Sequence, residues 1–319
     1  MNSKPFESNN KEIDQLNLIH FFKEVPLVVK DFSISYNSSR FFSNVDSTPI
    51  SSIESVIQII HQIRRIIFPG YFSKTRLDSV NLEYYLGQET IELLKSLANQ
   101  ILLSLQHECL RFDRPCSQCT EKGLQISSQF VRRLPKLREL LTLDVQAAME
   151  GDPAAKNHDE IIHSYPGIIA ISIYRVAHEL HLLNVPLLPR RMTEYAHSRT
   201  GIDIHPGAKI GKSFFIDHGT GVVVGETTVI GDRVRLYQGV TLGAISLSKD
   251  SVDDFRGKKR HPTIGDDVII YSNATLLGEN AEIGARSIIG GNVWITEPVP
   301  PDTKVLLKKP ELIYIGNGN

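Results

Sequence analysis

The C-terminal third of the chain repeats every six residues. From Gly201 to Thr296 an aliphatic residue followed by a small or polar one returns at almost every sixth position. This period is typical of a left-handed parallel β-helix, in which each hexamer forms a short strand and a turn and three hexamers close a triangular coil. We expect the aliphatic side chains to fill the prism. They are Ile204, Ile210, Ile216, Val224, Ile230, Leu236, Leu242, Ile264, Ile270, Leu277, Ile283, Ile289 and Ile295.

Three steps of this repeat are irregular. The step from Ile216 to Val224 is eight residues, and that from Ile270 to Leu277 is seven. The third, from Leu242 to Ile264, spans twenty-two residues. An irregularity in an otherwise regular repeat is where function is expected.

The first two hundred residues have helical periodicity instead. Apolar positions at helical spacing predict helices over 53–68, 81–107, 167–184 and 192–198, and another around 130–145 that Pro135 kinks or divides. Residues 1–20 are expected to be weakly ordered. The predicted fold class is α+β: an all-helical, oligomerising domain over 1–200, the β-helix with a protruding loop over 201–300, and a tail over 301–319. The helices would cap the open end of the solenoid.

The charge and hydropathy of the chain exclude some classes of partner and location. The chain has 319 residues and a formal net charge of −1, so nothing favours nucleic acid as a partner. No segment approaches a transmembrane span, and the polar N-terminus lacks the apolar core of a secretory signal. We expect a soluble cytoplasmic protein.

The three cysteines are clustered at positions 109, 116 and 119. Cys116 and Cys119 have metal-ligand spacing, and His107 or Cys109 could complete a set. A zinc signature would supply a second spaced pair, which this sequence lacks. Reduced thiols in a loop between helices are therefore the preferred reading, with no metal expected, and the role of Cys109, Cys116 and Cys119 stays open.

The eight-residue step carries candidate acid–base residues. Asp203 lies at the solenoid entry and His218 about one coil later, so the two are expected on adjacent coils. A carboxylate bonded to one ring nitrogen fixes the imidazole tautomer and leaves the other nitrogen free to accept a proton from a hydroxyl. The alternative is that both are ordinary surface residues; the bulged step and the flanking glycines favour a function.

The long step is a polar loop over 244–259 that ends in Arg260 and His261. A loop of this length is typically a lid or a disordered excursion. Arg260 and His261 are cations suited to a small carboxylate or a phosphate, whereas Lys258 and Lys259 could simply be solvated.

These segments resemble one enzyme family. The runs DIHPGAKIG, IDHGTGVVVGETTVIGDRVRLYQGVTLG and RHPTIGDDV are similar to those of serine O-acetyltransferases, which acetylate serine in bacterial and plant cysteine biosynthesis. The resemblance covers about residues 152–301. It implies that acetyl-CoA is a co-substrate, that L-serine is the acceptor, and that no cofactor is tightly bound.

The resemblance also implies a role for each matching residue. His218 would deprotonate the serine hydroxyl while Asp203 orients its ring. Asp152 and Asp217 would receive the substrate ammonium, and Arg260 with His261 its carboxylate. Coenzyme A would lie between neighbouring subunits, near Gly243, Ala244, Ser272 and Gly291.

The family forms trimers of parallel prisms that are often doubled to hexamers, so a homotrimer or a dimer of trimers is expected. Members that bind O-acetylserine sulfhydrylase do so through a C-terminal isoleucine; this sequence ends in Asn319, which argues against that complex. Feedback inhibition by cysteine is a further family expectation.

Three other readings stay open. The acceptor could be a hydroxyl of a sugar or a xenobiotic, although such a site needs no ammonium and carboxylate clamp. A zinc hydrolyase of the γ-carbonic anhydrase kind would need three converging histidines, for which His205, His218 and His261 are available. A structural scaffold would show no acyl transfer.

Overall fold

The structure, a computed structural model, describes residues 22–38, 50–245 and 257–308. The chain forms two compact units, residues 1–47 and 48–319. Helix α1, Val25–Ser38, lies in the first unit, and every element below lies in the second. The predictions for residues 1–20, for the centre of the loop and for the end of the chain fall outside the described residues. The domain division at residue 200 stays a prediction.

Six helices precede the strands of the second unit, and they follow the predicted pattern with one addition, α5. Ser52 caps α2, where its hydroxyl accepts a hydrogen bond from the Ser55 amide at 3.1 Å. Gly201, with φ 70°, ends α7 in the left-handed conformation at the predicted change from helix to strand. The helices are α2 Ile53–Ile67, α3 Leu82–Arg111, α4 Cys119–Gly151, α5 His158–Ser164, α6 Pro166–Leu182 and α7 Leu188–Thr200.

Pro135 does not divide the third predicted helix. It lies inside α4, which is one element of 33 residues. A proline in a helix interior costs about 3 kcal/mol. The buried side chains of Leu134, Leu137 and Leu141 hold both sides of the proline in the core, and their burial offsets this cost. The loop before α4 is also shorter than expected, because the helix begins at Cys119.

Within the described residues, fourteen short strands form the three faces of a left-handed parallel β-helix, as predicted. Sheet A contains β1 Asp203–Ile204, β4 Val223–Val224, β7 Thr241–Gly243, β10 Thr275–Leu277 and β13 Trp294–Ile295. Sheet B contains β2 Lys209–Ile210, β5 Val229–Ile230, β8 Thr263–Ile264 and β11 Glu282–Ile283. Sheet C contains β3 Phe215–Ile216, β6 Arg235–Leu236, β9 Ile269–Ile270, β12 Ile288–Ile289 and β14 Lys304–Val305. The last strand extends the coil into the segment predicted as a tail.

One predicted core position is wrong by a residue. Leu276, not Leu277, points into the prism: it is fully buried and pairs in register with Leu242 and Ile295. Leu277 pairs with Gly243 and is only half-buried. The seven-residue step therefore follows Leu276, and the sequence suggested the wrong residue because both leucines are equally apolar.

The helices of the second unit and the β-helix share one hydrophobic core. A buried ion pair also joins them: Arg175 on α6 donates to Asp144 on α4 at 2.6 and 2.8 Å. Arg175 also donates to the carbonyl of Gly211, at 2.7 Å, and Asp144 accepts from the Phe214 amide, at 2.9 Å. In the described part of the chain no helix is long and apolar enough to cross a membrane.

Candidate active site

Two corners of the prism carry the residues that the sequence analysis selected. The corner that leads from sheet C to sheet A, here the CA corner, holds residues 217–222 in its first coil and 271–274 and 290–293 farther along. The corner that leads from sheet A to sheet B, here the AB corner, holds residues 205–208, 225–228 and the loop that begins at Ala244. One face of sheet A separates them, and about five residues of strand and adjoining turn cross that face, a width of roughly 15 Å at about 3.3 Å per residue.

The first turn of the CA corner contains two extra residues, His218 and Gly219. Positive φ angles of 56° at His218, 86° at Gly219 and 81° at Gly221 carry the chain around this bulge. A Cβ atom on Gly219 would lie 2.5 Å from Cδ1 of Ile202, so only glycine fits there. The bulge leaves the His218 side chain 73% exposed, with Nε2 3.8 Å from Oδ1 of Asp217. Left-handed non-glycine residues also recur at other corners of this β-helix, for example at Ser213 and Asn273, so the extra length of the turn rather than the φ angle distinguishes His218.

Two glycines bring the helices onto the strand that precedes this bulge. A Cβ atom on Gly151, at the end of α4, would lie 2.7 Å from the Phe215 ring. On Gly167, at the start of α6, it would lie 2.3 Å from the carbonyl oxygen of Ile216. Both helix ends therefore touch β3 directly, which puts Asp152, the residue after α4, beside the CA corner.

Two hydrogen bonds fix the Asp152 carboxylate in an orientation in which it can bind a cation. It accepts hydrogen bonds from the Tyr165 hydroxyl at 2.5 Å and from the Ala154 amide at 2.8 Å. The Tyr165 bond, then the Ala154 bond, lowers the pKa of Asp152, and the charges of His218 and Arg235 lower it further. Asp152 thus lies within the electrostatic reach of His218.

Sequence reasoning missed Tyr165. Burial and its bond to Asp152 raise the pKa of Tyr165 to about 12, and the charge of Asp217 contributes to the same shift. Tyr165 is therefore hydrogen-bonded to one of the two predicted ammonium-binding carboxylates and lies within electrostatic reach of the other. Its only sequence signal is its position before Pro166, the first residue of α6.

Asp203 lies on β1 of sheet A, next to the strand that follows the His218 bulge. Its Oδ1 atom is buried and accepts no hydrogen bond from a described residue; the nearest cation is Nη1 of Arg190, at 3.6 Å. No hydrogen bond joins Asp203 to His218 within the described ranges. Asp203 therefore has an unused buried acceptor one coil away from the candidate base.

Arg260 and His261 lie at the AB corner, on the opposite side of sheet A from His218. Arg260 pairs with Glu226 through its guanidinium, and its amide donates to the Thr227 hydroxyl at 2.9 Å. Nδ1 of His261 accepts from the Thr227 amide at 3.1 Å, which leaves the ring proton on Nε2.

Burial, and then the charge of Arg260, lowers the pKa of His261 to about 4. The ring is therefore neutral at neutral pH, and it offers a hydrogen bond rather than the second positive charge that the sequence suggested. Gly225 makes room for it, because a Cβ atom there would lie 2.2 Å from Nε2.

The candidate coenzyme residues divide between the same corners. Gly243 and Ala244 end β7 and begin the AB corner, whereas Ser272 and Gly291 stack on adjacent coils of the CA corner. A cleft of about 300 Å³ at the AB corner is lined by residues that include Glu226, Thr227 and Lys259. A larger cavity of about 450 Å³, between Phe68, Arg138 and His158 in the helical half, is lined by none of the candidate site residues.

The three histidines that a zinc hydrolyase would need do not meet in one chain. His205 and His261 lie at the AB corner and His218 at the CA corner. Nδ1 of His205 accepts from the Gly207 amide, at 3.0 Å, as Nδ1 of His261 does from Thr227.

The chain matches no protein-family model. It is 47% identical over 256 residues to the plasmid serine acetyltransferase of Synechococcus elongatus, a match that covers 79% of this chain and 80% of the relative. The chain belongs to the serine acetyltransferase family. This family transfers acetyl groups. A second relative, the serine acetyltransferase of Mycobacterium tuberculosis, is 47% identical over 163 residues, which cover 51% of this chain and 67% of the relative.

Solved structures agree with this assignment. Serine acetyltransferase isoform 3 of Entamoeba histolytica in complex with cysteine superposes with a TM-score of 0.67 at 38% identity, covering 81% of this chain and 84% of that one. The soybean enzyme complexed with serine superposes with a TM-score of 0.51 at 30% identity, covering 81% and 99%. The α+β architecture and the family that the sequence predicted are therefore confirmed.

Proposed function

We propose that this protein transfers the acetyl group of acetyl-CoA to the hydroxyl of L-serine, giving O-acetyl-L-serine and coenzyme A for cysteine biosynthesis. The observation that carries the proposal is the bulged CA corner, where an exposed histidine lies beside two carboxylates in a chain of this family. That arrangement offers a base and an ammonium site in one place. A neutral sugar has no ammonium for these carboxylates to bind, and an aminoglycoside has no carboxylate for Arg260 and His261 to bind.

His218 is the proposed general base. Its imidazole takes the proton of the serine hydroxyl as the oxygen attacks the thioester carbonyl, and it returns the proton to the sulfur of coenzyme A as the C–S bond breaks. Asp203 is the proposed positioning residue, because its Oδ1 atom has an unused acceptor site for the other ring N–H.

The serine zwitterion is recognised by groups of opposite charge. Asp152 and Asp217 would bind its ammonium, while Arg260 supplies charge and His261 a neutral Nε2–H donor for its carboxylate. In one chain these two halves lie on different corners, roughly 15 Å apart, which is too far for one serine molecule. We therefore propose that the CA corner of one subunit faces the AB corner of the next.

The assembly we propose for this arrangement is a closed ring of three parallel prisms, either a homotrimer or a dimer of such trimers. Acetyl-CoA would lie in the groove between two prisms. Gly243 and Ala244 would line it from one subunit, and Ser272 and Gly291 from its neighbour. It binds as a co-substrate, and no tightly bound cofactor is required.

L-cysteine is the proposed feedback ligand of the serine site. It has the same ammonium and carboxylate as L-serine, and a relative of 38% identity was solved with cysteine bound. The proposed location is the cytoplasm, whose reducing conditions suit the free cysteines of this chain. A complex with O-acetylserine sulfhydrylase depends on the end of the chain, outside the described residues.

The function is tested by following the release of free thiol from acetyl-CoA with L-serine, a sugar or an aminoglycoside as acceptor. Thiol release should require L-serine. His218→Ala should lower kcat by about 10²- to 10⁴-fold with little change in L-serine binding. His158→Ala is the matched control, since His158 is exposed and bonded to Gln146 at 3.0 Å. Serine-independent turnover, or near-normal turnover of His218→Ala, would contradict the proposal.

The shared site is tested separately by mixing two inactive chains. His218→Ala damages the CA corner and Arg260→Ala the AB corner, so neither homo-oligomer should be active. Coexpressed chains form some interfaces with two intact halves, and activity should return in part. If activity stays absent although mixed oligomers form, the halves belong to one chain.

A further inference from the structure

Three thiols from two helices meet at the end of the α3–α4 hairpin. Cys109 lies in the last turn of α3, Cys116 in the connection, and Cys119 is the first residue of α4. Their sulfur atoms all lie within 4.8 Å of one another, and those of Cys109 and Cys119 are 3.6 Å apart. All the cysteines of this chain are thus in one cluster.

The sulfur separations match those of a metal thiolate centre. Three sulfurs that each lie about 2.3 Å from a tetrahedral zinc ion are about 3.8 Å from one another. Cys116 and Cys119 have the two-residue spacing that lets adjacent thiolates bind one ion, and Cys119 at the start of α4 gains from the positive end of the helix. Soft thiolates favour zinc over magnesium or calcium.

The fourth coordination position of such a metal centre would face solvent. Cys119 is buried, Cys109 is half-buried and Cys116 is exposed, so an ion can enter from the side of Cys116. His107 does not belong to the cluster of described residues, because it lies two positions before Cys109 and points to another side of α3.

We infer that Cys109, Cys116 and Cys119 bind one zinc ion, with water or another small ligand in the fourth position. A disulfide would join two of the sulfurs and leave the third unused, whereas a metal uses all three. When Zn²⁺ replaces three thiol protons, about three protons are released and the site carries one net negative charge.

The site is structural rather than catalytic. α4 has 33 residues, so it is about 50 Å long, and Asp152 of the candidate active site follows its other end. The ion would tie the C-terminus of α3 to the N-terminus of α4, and acetyl transfer chemistry would not touch it.

The experiment uses the full chain, purified under reducing conditions without chelator. Zinc should be present at one ion per chain, and titration of the metal-free protein with Zn²⁺ should release about three protons. Co²⁺ should give the charge-transfer absorption of thiolate ligands. Cys116→Ser, at the exposed position, should fold normally and bind zinc at least about 100-fold more weakly. Ser117→Ala, between the ligands, is the matched control and should bind normally.

Three outcomes would overturn the inference. One is a wild-type protein that binds zinc no better than Cys116→Ser. Another is zinc that remains in a Cys116→Ser/Cys119→Ser double variant, which would assign it to the cluster of Glu194, His197 and Asp203. The third is fewer than three free thiols in protein purified without reductant and without oxygen and then denatured, which would indicate a disulfide. Thiol release from acetyl-CoA by the same variants keeps this result separate from the proposed function.

Discussion

Asp144→Ala should destabilise this protein more than any exposed charge change. The Asp144 carboxylate is fully buried and Arg175 is only 4% exposed. The variant removes two hydrogen bonds from Arg175 and one from the Phe214 amide, which together hold α4, α6 and the β-helix in contact. It leaves the Arg175 guanidinium buried with carbonyl partners at Ile210 and Gly211 but no counter-charge.

Removing one partner of a buried ion pair costs about 3–5 kcal/mol, most of it from the uncompensated charge that remains. The whole stability of a domain is only about 5–15 kcal/mol, so the loss is a large fraction. At roughly 2–4 °C per kcal/mol for a unit of this size, the melting temperature should fall by about 10 °C. Circular dichroism at fixed protein concentration measures this, because oligomerisation makes the melting temperature depend on concentration.

Two comparisons make the measurement decisive. Asp302→Ala removes the same charge from the exposed pair with Arg286 and should leave the melting temperature almost unchanged. The double variant Asp144→Leu/Arg175→Met should recover much of the stability, since apolar residues of similar volume can replace a buried pair. A melting temperature for Asp144→Ala within a degree or two of wild type would refute the argument.

Two further predictions concern the candidate site. Tyr165→Phe removes the hydroxyl that donates to Asp152 and should raise the KM for L-serine by about 10-fold, with a smaller effect on kcat. Tyr71→Phe loses a similar hydrogen bond to a carboxylate and should leave this KM unchanged. Equal KM values for the two variants would contradict the role of Tyr165. Burial lowers the pKa of His261 from 6.5 to about 4, so in this range the unfolded chain binds a proton that the folded protein does not. The stability from this group is therefore full above pH 6.5 and is lost as the pH falls toward 4. The melting-temperature advantage of wild type over His261→Gln should shrink across that window, and a constant difference would show that the group does not titrate as described.

The sequence predicted the scaffold well because the repeat is local. A six-residue period needs only the alternation of inward and outward side chains, and these are properties of neighbours in the chain. The extra residues at His218 and the loop before Arg260 were visible as breaks in that period. The sequence chose the wrong leucine of the pair 276 and 277 and left open whether Pro135 kinks or divides its helix. Both questions depend on packing by distant residues.

In the candidate site, too, some features were predicted from the sequence and others were revealed only by the structure. The sequence by itself selected His218, Asp152 and Arg260, since residue type and motif suffice to identify groups that can exchange protons or carry charge. Only the tertiary structure revealed Tyr165 beside Asp152 and the neutral ring of His261, because hydrogen bonding and burial set a pKa and neither is encoded in one residue. The structure also placed the two halves of the proposed serine site on different corners of the prism. The sequence by itself determined which chemical groups the candidate site contains. The packing of the coils and helices determined how far apart these groups lie, which of them are protonated and which partners they bind.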